Sequence, residues 1–229
     1  VARRIAHEIK NPLTPIQLAA ARLKRRFLKE ITSDPDTFVQ CADTIVRQVG
    51  DIGRMVDEFS AFARMPQPVM KDEVLSRTVR EVLVLQRNAH PEIHYHFEVE
   101  GEGPVVRCDR RLISQALINL LQNAADAIAM VSRDDGQKAA EGKVLLRITH
   151  DDHTIALSVA DNGVGLPADD RHRLTEPYVT HKVKGTGLGL AIVKKIMEDH
   201  GGTLRLEDRA EERGTMAILI LPVKDDHGA

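Results

Sequence analysis

The chain has 229 residues, of which 42% are hydrophobic and 29% charged, and its 32 basic and 34 acidic side chains leave a formal charge of −2. That balance gives no reason to expect nucleic acid or an anionic membrane as a partner. No run of about 18 apolar residues could span a bilayer, and no signal peptide is visible. Trp is absent and aromatic residues make up 3%, a composition for aliphatic helix packing rather than base stacking. Cys41 and Cys108 are unclustered, so free thiols in a reducing compartment are expected. The pattern opens without a cap before Val1, and the chain is expected to be a fragment of something longer.

Apolar residues recur at Ile5, Ile9, Leu13, Ile16, Ala20, Leu23 and Phe27, predicting an amphipathic helix from the start to about Ile31. His7 falls off that stripe and should project toward solvent. Asn11 follows one turn on along the same face, and Glu8 lies beside His7 around the helix. Pro12 and Pro15 cannot donate to the carbonyls of Glu8 and Asn11, so a bend is expected just past His7. Taken alone, His7 reads as an ordinary solvated side chain; it gains meaning only from the blocks further along.

Ser33-Asp34-Pro35-Asp36 reads as a turn and helix start. A second stripe follows at Val39, Ala42, Val46, Val49, Ile52, Val56, Phe59 and Ala63. The short connection predicts an antiparallel hairpin. Such a hairpin cannot enclose its own stripe, so a homodimer built as a four-helix bundle is expected, the alternative being packing against the rest of the chain. Met65-Pro66-Gln67-Pro68 breaks the pattern and divides the chain into domains over 1–66 and 67–226.

The second region reads as mixed α and β. Helices are predicted over Leu75 to Asn88, Asp109 to Val131 and about Gly187 to Asp199. Strands are predicted at Ile93 to Val99, Val105-Val106, Val144 to Thr149, Thr154 to Val159, Thr203 to Leu206 and Thr215 to Leu221. Antiparallel strands with helices on one face would form an α/β sandwich, giving an α+β chain as a whole.

Asp161-Asn162-Gly163-Val164-Gly165 follows a predicted strand, with glycines that permit close backbone approach and a carboxylate suited to an exocyclic amine such as adenine carries. By itself it is also an ordinary turn signal. Gly185-Thr186-Gly187-Leu188-Gly189-Leu190 opens a helix whose N–H groups could face phosphate oxygens. No Gly-Lys-Ser/Thr follows, which excludes a Walker A loop, and the setting of a dinucleotide fingerprint is missing. Asn119 and Asn123 share one helical face, with Asp126 on the adjoining turn. Amide oxygens suit Mg²⁺, and Asn is an unfavoured residue amid Leu and Ala in a helix. His90, His94 and His96 lack Cys or carboxylate partners in register and read as surface histidines.

The order His7-Glu8-x-x-Asn11-Pro12, Asn119-x-x-x-Asn123, Asp161-x-Gly163-x-Gly165 and Gly185-x-Gly187-x-Gly189 resembles the two-component sensor histidine kinases. The stretches HEIKNPLTPIQLAAARLKRR and IVRQVGDIGRMVDEFSAFARMP are particularly similar to nitrogen-regulation sensors of the NtrY type. The resemblance implies a helical hairpin followed by an ATP-binding domain of the histidine kinase, gyrase and chaperone kind. It implies His7 as phosphoacceptor, Glu8 as its acid/base partner, Asn123 as the principal Mg²⁺ ligand, Asn119 at the phosphates and Asp161 on the adenine amine. A lid from about Leu166 to Lys184 would cover ATP. Its aromatic box departs from the usual Phe-rich pattern, reading Glu176-Pro177-Tyr178-Val179-Thr180. Asp126 stands where many relatives carry a basic residue, which shifts phosphate neutralisation toward Lys182 or Lys184 on the lid. Gly163, Gly165, Tyr178, Gly185, Thr186, Gly187, Leu188, Gly189 and Thr215 complete the expected nucleotide site, Gly214-Thr215 matching the family's last glycine signature.

The implied activity is autophosphorylation of His7 from ATP and Mg²⁺, with transfer to an aspartate of a response regulator. Asn11 implies a phosphatase activity toward that regulator as well. The implied location is cytoplasmic, in a parent anchored at a bacterial inner membrane. The main alternative is a catalytically inactive dimeric scaffold. A gyrase-type ATPase would need a catalytic Glu near the first Asn and lacks the His7 hairpin, and a zinc protease would need His where Asn11 stands.

Overall fold

The computed structural model describes residues 2–62, 65, 67–134, 141–180, 186–209 and 213–223, with the side chains of 2–7, 57–58, 61–62 and 132–134 outside that description. The chain divides into two compact units, one of residues 1–66 with 182–188 and one of 67–181 with 189–229.

In the first unit, α1 (Ala2–Phe27) and α2 (Pro35–Phe62) carry the two apolar stripes. Lys24 Nζ meets Asp43 at 2.6 Å, while Gln17 faces the position of Gly50. A fall of seven positions on one helix thus matches a rise of seven on the other, which makes the pair antiparallel, as expected. Pro12 and Pro15 both lie inside the continuous α1. The helix stops four residues short of Ile31, because the N–H groups of Glu30 and Ile31 both turn back to the Phe27 carbonyl at 2.9 and 3.1 Å. Asp34 caps α2, its Oδ1 accepting the Thr37 N–H at 3.0 Å.

The second unit runs β1 (Lys71–Val74), α3 (Leu75–Ala89), β2 (Ile93–Val99), β3 (Val105–Cys108), α4 (Arg110–Asp134), β4 (Gly142–His150), β5 (Thr154–Asp161), a 3-10 turn at Arg171–Arg173, α5 (Gly189–Asp199), β6 (Thr203–Asp208) and β7 (Thr215–Pro222). The main sheet has the order β2-β4-β5-β7-β6, and β1 pairs separately with β3. Val144, Leu146 and Ile148 alternate inward on β4, as do Ile155, Leu157 and Val159 on β5 and Ala217, Leu219 and Leu221 on β7. The buried sides of the helices are Val79, Val82 and Leu83 on α3, Ile113, Leu117 and Leu121 on α4, and Ile192, Val193 and Ile196 on α5. One-sided burial of every central strand puts the core between sheet and helices.

Two features correct the sequence reading. The sheet is mixed, because β2 and β4 pair in parallel. A parallel pair needs a long crossover, and β3 with α4 supplies it. Strand β1 was not expected: Lys-Asp-Glu-Val holds one apolar residue and no alternation, and it exists by pairing with β3 from Lys71↔Cys108 to Val74↔Val105. Both cysteines are free, Cys41 exposed and Cys108 buried. Burial pushes the Cys108 thiol up to about 12, so it stays a neutral core side chain.

Candidate functional site

On the first unit, His7 lies within α1 near its start, and its side chain lies outside the described residues. Glu8 and Asn11 are exposed on the same helix. The helical continuity of α1 through Pro12 keeps Asn11 one turn from His7, the spacing on which the sequence argument rests.

On the second unit, Asp161 ends β5 and is 6% exposed. Its Oδ1 accepts the N–H of Gly163 at 2.8 Å and, at longer range, that of Thr215 at 3.4 Å. These bonds aim the carboxylate and give it a fixed backbone frame. Gly163 must be glycine, since a Cβ would stand 2.6 Å from the Ala127 main chain of α4. The Val164 N–H donates to the Ala127 carbonyl at 3.2 Å, holding the loop against that helix. Gly165 has φ +86 and continues the turn in the left-handed region. Asn162, unassigned on sequence, is structural: its Oδ1 accepts the Lys143 N–H at 2.8 Å and its Nδ2 donates to the Glu141 carbonyl at 2.9 Å.

Asn119 and Asn123 are half-buried on α4. The Asn119 Nδ2 is buried with no hydrogen-bond partner. A buried donor without an acceptor costs about 1–3 kcal/mol, so it marks a place where an acceptor belongs. A Cβ on Gly189 would stand 3.9 Å from the Asn123 Nδ2, which puts the start of α5 beside Asn123. Asp126 accepts from Gln122 Nε2 at 3.0 Å. Thr186, Gly187 and Leu188 lead directly into α5; Gly187 has φ +70 and Leu188 is fully buried. Tyr178 is 55% exposed and has φ +67, a backbone conformation uncommon outside glycine. Lys182, Lys184 and Gly185 lie outside the described residues. His94 and His96 are exposed, as expected, and His90 is half-buried. Contrary to the sequence reading, each ring stands beside a carboxylate: His90 by Glu92, His94 by Glu141 and His96 by Glu98, at 3.3, 2.7 and 3.4 Å. Among the described residues no group of three or more His, Cys, Asp or Glu could hold a metal.

A purine nucleotide fits this donor and acceptor set. Asp161 offers a fixed acceptor for a base amine, Asn119 an unpartnered donor for a phosphate oxygen, and Asn123 a hard oxygen for a divalent cation. An antiparallel helical hairpin bearing a His-Glu-x-x-Asn-Pro run, joined to this α/β sandwich, defines the class of the histidine kinases.

Residues 108–225 match the family described as Histidine kinase-, DNA gyrase B-, and HSP90-like ATPase, and residues 1–68 match the His Kinase A (phospho-acceptor) domain. The chain belongs to the sensor histidine kinases of that ATPase family. It is 54% identical to Nitrogen regulation protein NtrY of Azorhizobium caulinodans, over 96% of this chain and 28% of that protein. It is 39% identical to a Putative sensor histidine kinase NtrY-like of Rickettsia felis, over 95% of this chain and 35% of that protein. The chain thus spans roughly a third of the length of these curated relatives. Among solved structures, the catalytic domain of histidine kinase ThkA covers 67% of this chain and 97% of its own at 33% identity and a TM-score of 0.58. ThkA in complex with response regulator protein TrrA covers 99% of this chain and 62% of its own at 26% identity and a TM-score of 0.67.

Proposed function

We propose that this chain is a kinase core that phosphorylates its own His7 from ATP and Mg²⁺, then passes the phosphoryl group to an aspartate of a response-regulator receiver domain. The observation that carries the reading is the buried, unpartnered Asn119 amide on the same face of α4 as Asn123. It occurs in one chain with an exposed Glu8 and Asn11 flanking His7 on α1.

Asp161 would accept the adenine amine, with Thr215 beside it, and Gly163 and Gly165 would let the base approach the backbone. Asn119, Asn123, Asp126, Thr186, Gly187, Leu188 and Gly189, with Tyr178, Lys182 and Gly185, would surround the phosphates. Mg²⁺, held by Asn123, would neutralise charge on the phosphate oxygens. One His7 ring nitrogen attacks the γ-phosphorus as the bond to the ADP oxygen breaks, while Glu8 holds the proton on the other nitrogen. Such transfer asks the protein chiefly for positioning and charge neutralisation. With the division near Pro66, nucleophile and nucleotide belong to different domains, and the Met65 to Pro68 segment must let them approach.

Three further readings accompany this one. Ile16, Leu23, Ile45 and Ile52 expose 41–50% of their surface on one hairpin, which supports a homodimer through α1 and α2. Asn11 would orient water toward the regulator's aspartyl phosphate, making the protein a phosphatase. No helix among the described residues is long and apolar enough to cross a membrane. Separately, the reading carries a cytoplasmic location, in a parent anchored at a bacterial inner membrane.

Incubation with γ-labelled ATP and Mg²⁺ should give acid-labile, alkali-stable label on the wild-type chain and none on His7→Ala. Label persisting in the variant would move the nucleophile elsewhere. Absence of both label and nucleotide binding would leave the inactive scaffold as the better account.

A further inference from the structure

Arg209, Gly214 and Thr215, at the ends of the connection between β6 and β7, all converge on Asp161. The Thr215 N–H reaches the Asp161 Oδ1 at 3.4 Å. Gly214, at φ +140, packs its backbone so tightly that a Cβ there would overlap the Asp161 carbonyl oxygen. That same carbonyl accepts a hydrogen bond from Arg209 Nη1 at 3.3 Å. The Arg209 N–H also bonds the Gly214 carbonyl at 3.4 Å. Arg213 Nε reaches the Val164 carbonyl at 3.5 Å, one residue past Gly163 of Asp161's own turn. The carboxylate adjacent to Arg209 in sequence, Asp208, is engaged with Arg171 at 2.5 Å.

We infer that Arg209 is a positioning residue for Asp161, fixing the peptide plane after it and so the direction in which its carboxylate meets a purine amine. The inference rests on Asp161 being the group that reads the base. The Asp161 carbonyl belongs to the peptide joining it to Asn162, and rotation of that peptide swings the whole Asp161-Asn162-Gly163 turn. Gly163 N–H supplies the carboxylate's shorter hydrogen bond, so a rotated turn also releases Oδ1. From the side of α4 the loop is held at Val164 and Gly163. From the end of β6, Arg209 grips Asp161's own main chain. Its guanidinium gives a charge-assisted bond, stronger than a neutral one and directional. A hydrogen bond to a charged acceptor is sensitive to its angle, so loosening this turn should cost recognition of the amine before it costs anything else.

The test compares ATP with purine riboside triphosphate, which lacks the exocyclic amine, by equilibrium binding to the full chain. Wild type should prefer ATP about tenfold or more, the worth of one hydrogen bond to a charged group. Arg209→Met should weaken ATP several-fold and leave the amine-free nucleotide unchanged, so the preference falls toward one. Equal weakening of both nucleotides, or an unchanged preference, would overturn the inference. Arg209→Lys keeps the cation without the planar fork and should give an intermediate preference. It decides the matter alone if the Met variant fails to fold, an unaltered wild-type preference then counting against Arg209. Asp161→Asn separates the two levels: if its preference matches wild type, Asp161 does not read the amine and the underlying assignment fails. If it loses preference while both Arg209 variants keep it, only the positioning role fails.

Discussion

At the scale of single residues, Asp109 illustrates how one side chain ties distant parts of the second unit. Its Oδ2 accepts the Val69 N–H at 2.9 Å, and its Oδ1 accepts the Arg111 N–H at 3.0 Å, capping α4. Arg111 Nη2 donates to Oδ2 at 3.0 Å. The Asp109 N–H donates to His200 Nε2 at 2.9 Å, and the His200 Nδ1–H donates to the Ile196 carbonyl at 2.7 Å, which fixes the tautomer of that buried ring. The Arg111 side chain first, with the backbone N–H groups of Val69 and Arg111 behind it, holds the Asp109 carboxyl well below the usual carboxylate range against the opposing effect of burial. A depressed pKa contributes stability above the unfolded value of about 3.9 and loses it as pH falls below that value. Asp109→Asn should therefore lower stability by about 1–3 kcal/mol near neutrality. In melting curves followed from pH 7 to pH 3, the gap to wild type should hold to about pH 5 and narrow below about pH 4. A gap that stays constant down to pH 3 would contradict the assignment.

At the scale of elements, the hairpin and the sandwich solve burial differently. The sheet hides its apolar residues under α3, α4 and α5, whereas α1 and α2 bury mainly Ala20, Ala42, Val49, Val56 and Ser60 against each other. Small residues at those positions bring the two helices close and leave the larger side chains of the stripe outward. A second copy is the partner that would complete a four-helix bundle. Ile52→Glu should convert a dimer to a monomer in light scattering of a size-separated sample, because a carboxylate would be desolvated in the seam. The melting of the nucleotide-binding unit should change little. A dimer that survives both Ile52→Glu and Ile45→Glu would place self-association elsewhere. The crossover of α4 serves the site as well as the sheet. By feeding β4 back beside β2 it carries Ala127 against the turn that follows Asp161 at the end of β5, on the same helix as Asn119 and Asn123.

At the scale of the whole molecule, the proposed transfer and hydrolysis would draw on different residues of α1. On the proposed reading, autophosphorylation would need His7 and Glu8 with a bound nucleotide, whereas hydrolysis of a regulator's aspartyl phosphate would need an oriented water. Asn11→Ala should leave labelling of His7 within about twofold of wild type and slow release of phosphate from the phosphorylated regulator by about a hundredfold. Both rates measured on the same preparation decide the matter; loss of labelling together with hydrolysis would make Asn11 a structural residue.

Local chemistry determined much of this in advance. The stripes of α1 and α2, the Asp34 cap, the strand pair around 151–153 and the order of the four motif blocks all depend on residues a few positions apart. Their spacing carries the signal, and the helical phase of Asn119 and Asn123 follows from it. Tertiary structure alone decided the rest. Lys71 to Val74 becomes a strand only because β3 lies beside it, and β2 pairs in parallel only because α4 crosses over. Asn162 sits in a motif block yet serves the main chain of β4, while Arg209, outside every block, holds Asp161 across a separation of 48 residues. Asp109 meets His200 across 91. Periodicity records what a residue's neighbours in sequence require of it. Which carbonyl, N–H or helix it meets at long range is set by how the elements pack, and the identity of an Arg or Asn does not encode that partner.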